Sequence, residues 1–350
     1  MFSKYSLARG GAALAALSVL VAGCTTASQA PASAPTQAAP ANVAIMVGGL
    51  DKQIYLTATL AKQLGYYDAE GVNVQLVDEP SGQSAETSLL SGEVQVAFGS
   101  YDHPIDLAGL GKQVVNVFQA TIAPGEAEMV SATKADNIKS PADFMGKNLG
   151  VTSIGSGTHT LTEFLSVKNG VSVDQIQPIP VGAGNTFIAA MQQGKIDAGM
   201  TTEPTISRLV KSGVGKVLVD LRTPDSTRAA LGGDYPFTNF FVTASWMNAN
   251  KPTVQKLVNA WVKTHTWIKA HTPEEIAAQM PRDYYAGDPD LYLTALRNEV
   301  AMYSPDGKMP QGGPEFVLSV LQQFDDNVKG KQIDLSKTYT TEFVDKANAS

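Results

Sequence analysis

GVTSIGSGTHTLTEFL (residues 150–165) carries the two halves of an α/β unit in sixteen residues. A β-branched run stops at a cluster of Gly, Ser and Thr, and an apolar helical pattern begins at once. A turn of this kind points backbone N–H groups and the positive end of a helix dipole outward. It suits a phosphate cradle, a serine nucleophile beside a histidine, or a capture site for another small ligand.

The same alternation extends in both directions. NVAIMVGG (42–49), VNVQLVDE (72–79), VQVAFGS (94–100), QVVNVFQA (113–120) and EMVSAT (128–133) read as strands, with helical patterns at 53–67 and 84–92. Beyond the opening stretch, IQPIPVG (176–182), DAGM (197–200) and KVLVDL (216–221) read as strands, and 158–169, 185–193 and 203–211 as helices. This order predicts parallel sheets with helices on both faces, in two similar α/β units, the second from about 140 to 225. After FFVTAS (240–245) the pattern turns mostly helical. Ser140-Pro141, Thr272-Pro273 and Asp288-Pro289 mark helix starts, a capping side chain before a first-turn proline, and Glu275 completes a capping box with Thr272.

Composition narrows the function. A chain of 350 residues, 43% hydrophobic, can build a sizeable core in about two domains. A net charge of −7 with no basic, aromatic-interleaved patch predicts no nucleic-acid partner. Lys4 and Arg9 precede the apolar stretch GAALAALSVLVAG (11–23), which ends at Cys24 in the order of a secretory signal peptide. Val21-Ala22-Gly23-Cys24 resembles the bacterial lipobox, which predicts a signal peptide at 1–23 and lipidation of Cys24. Because Cys24 is the only cysteine, no disulfide and no Cys-based zinc or redox site is expected. Residues 24–42, rich in Ala, Pro, Ser and Thr, read as a tether. The expected product is exported to the periplasm or cell surface and lipid-anchored, not membrane-spanning.

In open α/β sheets ligands bind where strand ends turn into helices. Six such turns stand out: GGLDKQ (48–53), PSGQSA (80–85), GSYDHP (99–104), TSIGSGTH (152–159), GAGNT (182–186) and TTEPT (201–205). Together they suggest a cleft lined from two sides. The phosphate-loop pattern fails because Gly155 is followed by Ser156 and not Lys, GSG (155–157) lacks the third Rossmann glycine, and no G-x-S-x-G elbow surrounds Ser156. His103 and His159 follow candidate loops and can reach a ligand, whereas His265 and His271, on a Lys-containing amphipathic pattern, are expected to be solvated. Tyr101 can edge a ligand, Asp102 can cap the next helix, and Glu203 would favour a ligand bearing donors, with Thr202 as cap. No loop holds an arginine, and Lys52 is their sole cation.

Taken in order, LAKQLGYYDAEGVNVQLV (60–77), SGEVQVAFGSYDHPI (91–105), LGVTSIGSGTHTLTEFL (149–165), AAMQQGKIDAGMTTEPT (189–205) and GGDYPFTNFFVTA (232–244) resemble the nitrate/sulfonate/taurine group of ABC-importer substrate-binding proteins. The same superfamily includes binders of thiamine pyrimidine precursors, and a eukaryotic branch is enzymatic. The resemblance implies an α/β, bilobed periplasmic-binding-protein fold with two crossover strands. Lobe one would comprise 43–128 plus 240–350, and lobe two 129–239. It implies a monomer with no cofactor, no metal and no catalytic group, delivering a small ligand to an ABC permease and its ATPase. The ligand is expected to be sulfonate-, nitrate- or taurine-like, with a heteroaromatic pyrimidine-type compound as the alternative. By position, Gly49, Ser81, Gly82, Ser100, Tyr101, Asp102, Ser153, Ser156, Gly157, Thr158, His159, Thr202 and Glu203 would line the cleft. The missing cleft arginine is a departure from what a simple oxyanion would want.

Overall fold

Five strands, β1 (Ala41–Val47), β2 (Val72–Asp78), β3 (Val96–Ser100), β4 (Val114–Gln119) and β10 (Thr238–Thr243), form one sheet in the order β2-β1-β3-β10-β4. The others, β5 (Glu126–Ser131), β6 (Asn148–Val151), β7 (Gln177–Pro180), β8 (Ala198–Thr202) and β9 (Gly215–Leu221), form a second sheet in the order β7-β6-β8-β5-β9. This computed structural model describes residues 40–285 and 287–349. The signal-peptide and Cys24 readings, and the tether up to residue 39, lie outside the described residues, while β1 begins at Ala41, within the stretch assigned to the tether.

The sheets share one plan, and it corrects the expectation of purely parallel sheets. β1 pairs parallel with β2 and β3, and β6 pairs parallel with β7 and β8. β10 is antiparallel to β3 and β4, and β5 is antiparallel to β8 and β9. The chain leaves the first sheet after β4, enters the second through β5, and returns through β10. Each antiparallel strand is therefore one of the two crossings that join the lobes.

Alternation of apolar residues drives the packing. Phe98 of β3 stacks on Phe240 of β10 at 3.8 Å, and Phe240 stacks on Trp261 of the long helix Lys251–Ala270 at the same distance. This buried aromatic column fixes the C-terminal helices on the first sheet; rings of this size dominate core energetics. The second sheet is covered on one face by Phe187, Met191, Ile206 and Leu209, and on the other by Ile138, Phe144 and Val171.

His265 lies in the first core and is not solvated. Its Nδ1 is 2.7 Å from the Ser304 carbonyl and its Nε2 is 3.0 Å from Thr57 Oγ1. A carbonyl only accepts, so Nδ1–H donates to it and Nε2 accepts from the threonine hydroxyl. Burial pushes the ring down to about 4. His271 is half-buried, its ring stacked on Trp267 at 3.8 Å and its Nδ1 2.7 Å from the Trp267 carbonyl. The helix periodicity was polar enough to suggest an exposed face, but both histidines sit where neighbouring aromatics and carbonyls close over them.

The marked helix starts are formed. Thr272 and Glu275 make a reciprocal capping box, Ser140 and Asp143 make another, and Asp288 accepts from Leu291 N–H at 3.1 Å. Among the described residues no helix is long and apolar enough to cross a membrane.

Candidate functional site

The first lobe brings two strand ends and a helix start together without side chains, at Gly48, Gly99 and Gly82. A Cβ on Gly48 would lie 2.6 Å from Gly82 N and 2.8 Å from the Tyr55 hydroxyl. A Cβ on Gly82 would lie 3.0 Å from His103 Nε2. Only glycine lets these backbones approach so closely. Gly49 holds φ +124°, and a Cβ there would meet the Lys52 stem at 2.5 Å. Lys52 is buried, its Nζ donating to Gly48 O at 2.5 Å and Pro80 O at 2.9 Å, and burial lowers its pKa to about 8. The only cation of the loops is thus spent on carbonyl oxygens.

The side chains of these loops divide into used and unused groups. Ser81 is the N-cap of the helix Gly82–Ser91, accepting from Ser84 N–H. Tyr101 is fully buried, its hydroxyl 2.6 Å from Thr338 Oγ1, so it packs in the core and does not edge the cleft. Ser100 Oγ has no partner. Asp102 Oδ1 accepts from His103 N–H at 3.0 Å, while its Oδ2 has none. His103 Nδ1 stands 3.0 Å from Glu86 Oε2, and its Nε2 is unpartnered. Burial opposes a charge on His103, but Asp102 and Glu86 outweigh it and raise the ring to about 9.

The second lobe contributes the turn before the helix Gly157–Lys168. Ser156 caps that helix, donating to Ser153 O at 2.7 Å, and its hydroxyl sits 2.9 Å from Thr152 Oγ1 and 2.7 Å from Thr158 Oγ1. Ser156 and Thr158 therefore serve each other, leaving Ser153 Oγ unpartnered. His159 Nδ1 accepts from Gly155 N–H at 3.3 Å and its Nε2 is 3.3 Å from Glu163 Oε1; burial holds the ring down at about 4. Turned this way, His159 is not a base for Ser156. Gly157 is the pinch between lobes, since a Cβ there would meet the Phe237 ring at 2.4 Å and Ser100 Oγ at 3.0 Å.

Thr202 ends β8 with an unpartnered hydroxyl, and it caps nothing. Glu203 is fully buried and committed elsewhere. It accepts from Arg222 at 2.9 Å, from Ser207 Oγ at 2.9 Å and from Ser207 N–H at 2.9 Å. Its backbone carbonyl accepts from Gln53 N–H at 3.2 Å, a hydrogen bond between lobes. The arginine absent from the loops thus stands behind the cleft, shared between Glu203 and Asp220.

Residues outside the six turns complete the chamber. Glu126, at the start of crossover β5, is buried with Oε2 unpartnered; burial, reinforced by the Asp102 charge, pushes its carboxyl well up. Tyr235 and Asn239, on the return crossing, also present unpartnered buried oxygens. Burial raises the hydroxyls of Tyr55 and Tyr235, and the charges of Asp102 and Glu126 add to both. One signal was available: Glu126 and Glu128 are two carboxylates within the short strand EAEMVS (126–131), at a predicted crossing. An outer groove of about 490 Å³ opens beside Asp102 and His103, walled by Glu86 and Asp106 of the first lobe, His159 and Glu163 of the second, and 321–327 of the C-terminal region.

A model of the family described as NMT1/THI5 like matches residues 55–276. A solved structure from Bordetella bronchiseptica RB50 is 32% identical, with a TM-score of 0.84 over 88% of this chain and 97% of that one. The periplasmic nitrate-binding protein NrtA from Synechocystis PCC 6803 aligns at a TM-score of 0.72 and 13% identity, covering 89% of each chain. The alkanesulfonate-binding protein SsuA from Xanthomonas axonopodis pv. citri, bound to MOPS, aligns at 0.67 and 18% identity, over 87% of this chain and 99% of its own. These last two likenesses establish the α/β, bilobed periplasmic-binding-protein fold.

Proposed function

We propose that this chain, which belongs to the NMT1/THI5-like family, is the substrate-binding component of an ABC importer that encloses a small organic ligand between its lobes. One observation carries the reading: buried oxygens and nitrogens without partners collect where the loop ends of both lobes face each other. Ser100, Asp102 and His103 supply them from the first lobe, and Ser153, Thr202 and Glu126, the last two paired across β8 and β5, from the second sheet. Leaving a buried polar group unsatisfied costs about 1–3 kcal/mol, so this many in one place fits a chamber completed by a polar guest. Closure around the guest would present a distinct shape to a permease. The work of transport would then come from the partner ATPase and not from a catalytic group in this chain.

Two ligand classes come from the sequence. A sulfonate-, nitrate- or taurine-like oxyanion would draw on the helix N-termini at Gly82 and Gly157 and on His103 Nε2–H. A pyrimidine-type heteroaromatic compound would draw on acceptors, and Asp102 Oδ2, Glu126 Oε2 and Asn239 Oδ1 are all unpaired. With Lys52 turned away and Arg222 engaged behind the cleft, the acceptor-rich set favours a ligand that donates.

The test is to purify the chain under native conditions, denature it, and identify released small molecules by mass spectrometry. A compound recovered unchanged, and found to raise the melting temperature on re-addition, is the expected result. Steady conversion of that compound into product would overturn the reading in favour of the family's enzymatic branch. The proposed setting is outside the cell membrane, with Cys24 carrying the anchor, the chain acting as a monomer.

A further inference from the structure

The outer groove has an unusual charge. Its lining includes six carboxylates, Glu86, Asp102, Asp106, Glu163, Asp325 and Asp326, and neither lysine nor arginine. They come from different elements and from both lobes: the helices Gly82–Ser91 and Asp102–Gly109 on one side, Gly157–Lys168 on the other, and the C-terminal segment across them. The only other titratable groups in the lining are His103 and His159. His103 stands 3.0 Å from Glu86 and also faces the Asp102 charge, and His159 is held neutral by burial, so the six carboxylates meet one imidazolium at most. Crowding is visible in the groups themselves: burial together with the charges of Asp325 and Asp326 raises Glu163 to about 7, and burial with Asp106 raises Asp325 to about 6.

An acidic cluster alone assigns nothing, but this one ends on an aimed side chain. Asp102 is 3% exposed, lines the groove, and leaves Oδ2 without a partner. Glu126 does not line the groove, but it is buried with Oε2 unpartnered and feels the Asp102 charge. Field lines from like charges in a cleft with low-dielectric walls draw in the opposite sign and repel their own. Among the described residues no three acidic, imidazole or thiol groups are arranged to hold a metal ion. The complement is therefore a charged group that also donates hydrogen bonds.

We propose that the captured ligand is a small organic cation, an ammonium or amidinium, which enters along this acidic groove and donates its N–H groups to Asp102 and Glu126. The proposal rests on the reading that the interlobe cleft is the capture site. It also explains why no arginine lines the loops: a fixed cation there would repel the guest. Glu163 and the pair Asp325/Asp326, on opposite walls, repel one another across the groove until a cation lies between them.

Isosteric pairs test this without altering the protein. Calorimetry on the purified full chain would compare benzamidine with benzamide, and 1-propylamine with 1-propanol, with propanesulfonate, taurine and nitrate as the anionic set. Each cation is expected to bind at least tenfold more tightly than its uncharged isostere, and to weaken severalfold between 50 mM and 500 mM salt. Asp102→Asn is expected to remove that preference; the isostere comparison stands even where this variant folds poorly. Equal or tighter binding of the uncharged partner, or preferential binding of a sulfonate or nitrate, overturns the inference and leaves interlobe capture standing. A chain that binds nothing in any of the three sets overturns the inference and withdraws support from capture as well.

Discussion

Gly157→Ala isolates closure from folding. In the structure a Cβ at this position would sit 2.4 Å and 2.8 Å from two Phe237 ring carbons and 3.0 Å from Ser100 Oγ. Carbon atoms in favourable contact stand about 3.5–4.0 Å apart, so the ring or the lobe must retreat by roughly 1 Å or more. Phe237 is 1% exposed in a packed core and has little room to move. Overpacking of this kind costs about 1–3 kcal/mol, which at about 1.4 kcal/mol per tenfold weakens ligand binding by roughly 5- to 150-fold. Gly157 opens a helix, where alanine is preferred over glycine by up to about 1 kcal/mol. With the lobes apart, the variant is therefore expected to be as stable as the parent or slightly more so. The assay is calorimetry with the compound released by the native chain, paired with small-angle scattering to follow compaction and with thermal melting of the free chain. Unchanged affinity with unchanged compaction would refute the pinch. A loss of free-chain stability as large as the loss of binding would also refute it, because the clash would then belong to folding.

Three further outcomes are expected. Glu203→Gln should lower unfolding free energy by about 1–3 kcal/mol in urea titration, since Arg222 and Ser207 lose a charged acceptor, and should change ligand affinity less than threefold; a large affinity loss at unchanged stability would return Glu203 to the ligand. Glu128 is fully buried, with Thr162 Oγ1 at 3.0 Å as its one partner, and burial raises its carboxyl to about 8. A raised folded-state value means that its contribution is fully present below about pH 4.5 and is lost as pH climbs toward 8, on the order of 5 kcal/mol in all. Glu128→Gln should flatten stability across that window, and a parent-like slope in melting curves at pH 5, 6.5 and 8 would refute it. Cys24→Ser should move the exported chain from the membrane fraction to the soluble one, because a single N-terminal lipid is its only predicted attachment; unchanged partitioning would remove the anchor.

How far the sequence reached can be judged residue by residue. The turn at 150–158 was legible because a β-branched run, a small-residue cluster and an apolar repeat are all local. So were the caps at Ser140, Thr272 and Asp288, whose partners lie three residues away. The side-chain roles were less so. Ser81, Ser156 and Thr158 read as ligand contacts, yet the structure has each serving a helix start. Tyr101 and Glu203 read as cleft groups, yet their partners, Thr338 and Arg222, lie far along the chain. No periodicity reports such a partner.

By itself, the sequence determined the alternation of strands and helices and marked the strand-to-helix turns as candidates, since these follow from patterns within a dozen residues. Tertiary structure alone decided which polar atoms stay unpaired. That depends on who arrives from elsewhere: the carbonyls that take Lys52, the arginine that takes Glu203, the threonine that takes Tyr101. It also brought Glu163 and Asp325 to one groove from opposite lobes. Charge in a cleft is a sum over neighbours in space, and that sum is set only when the chain has crossed twice between its sheets.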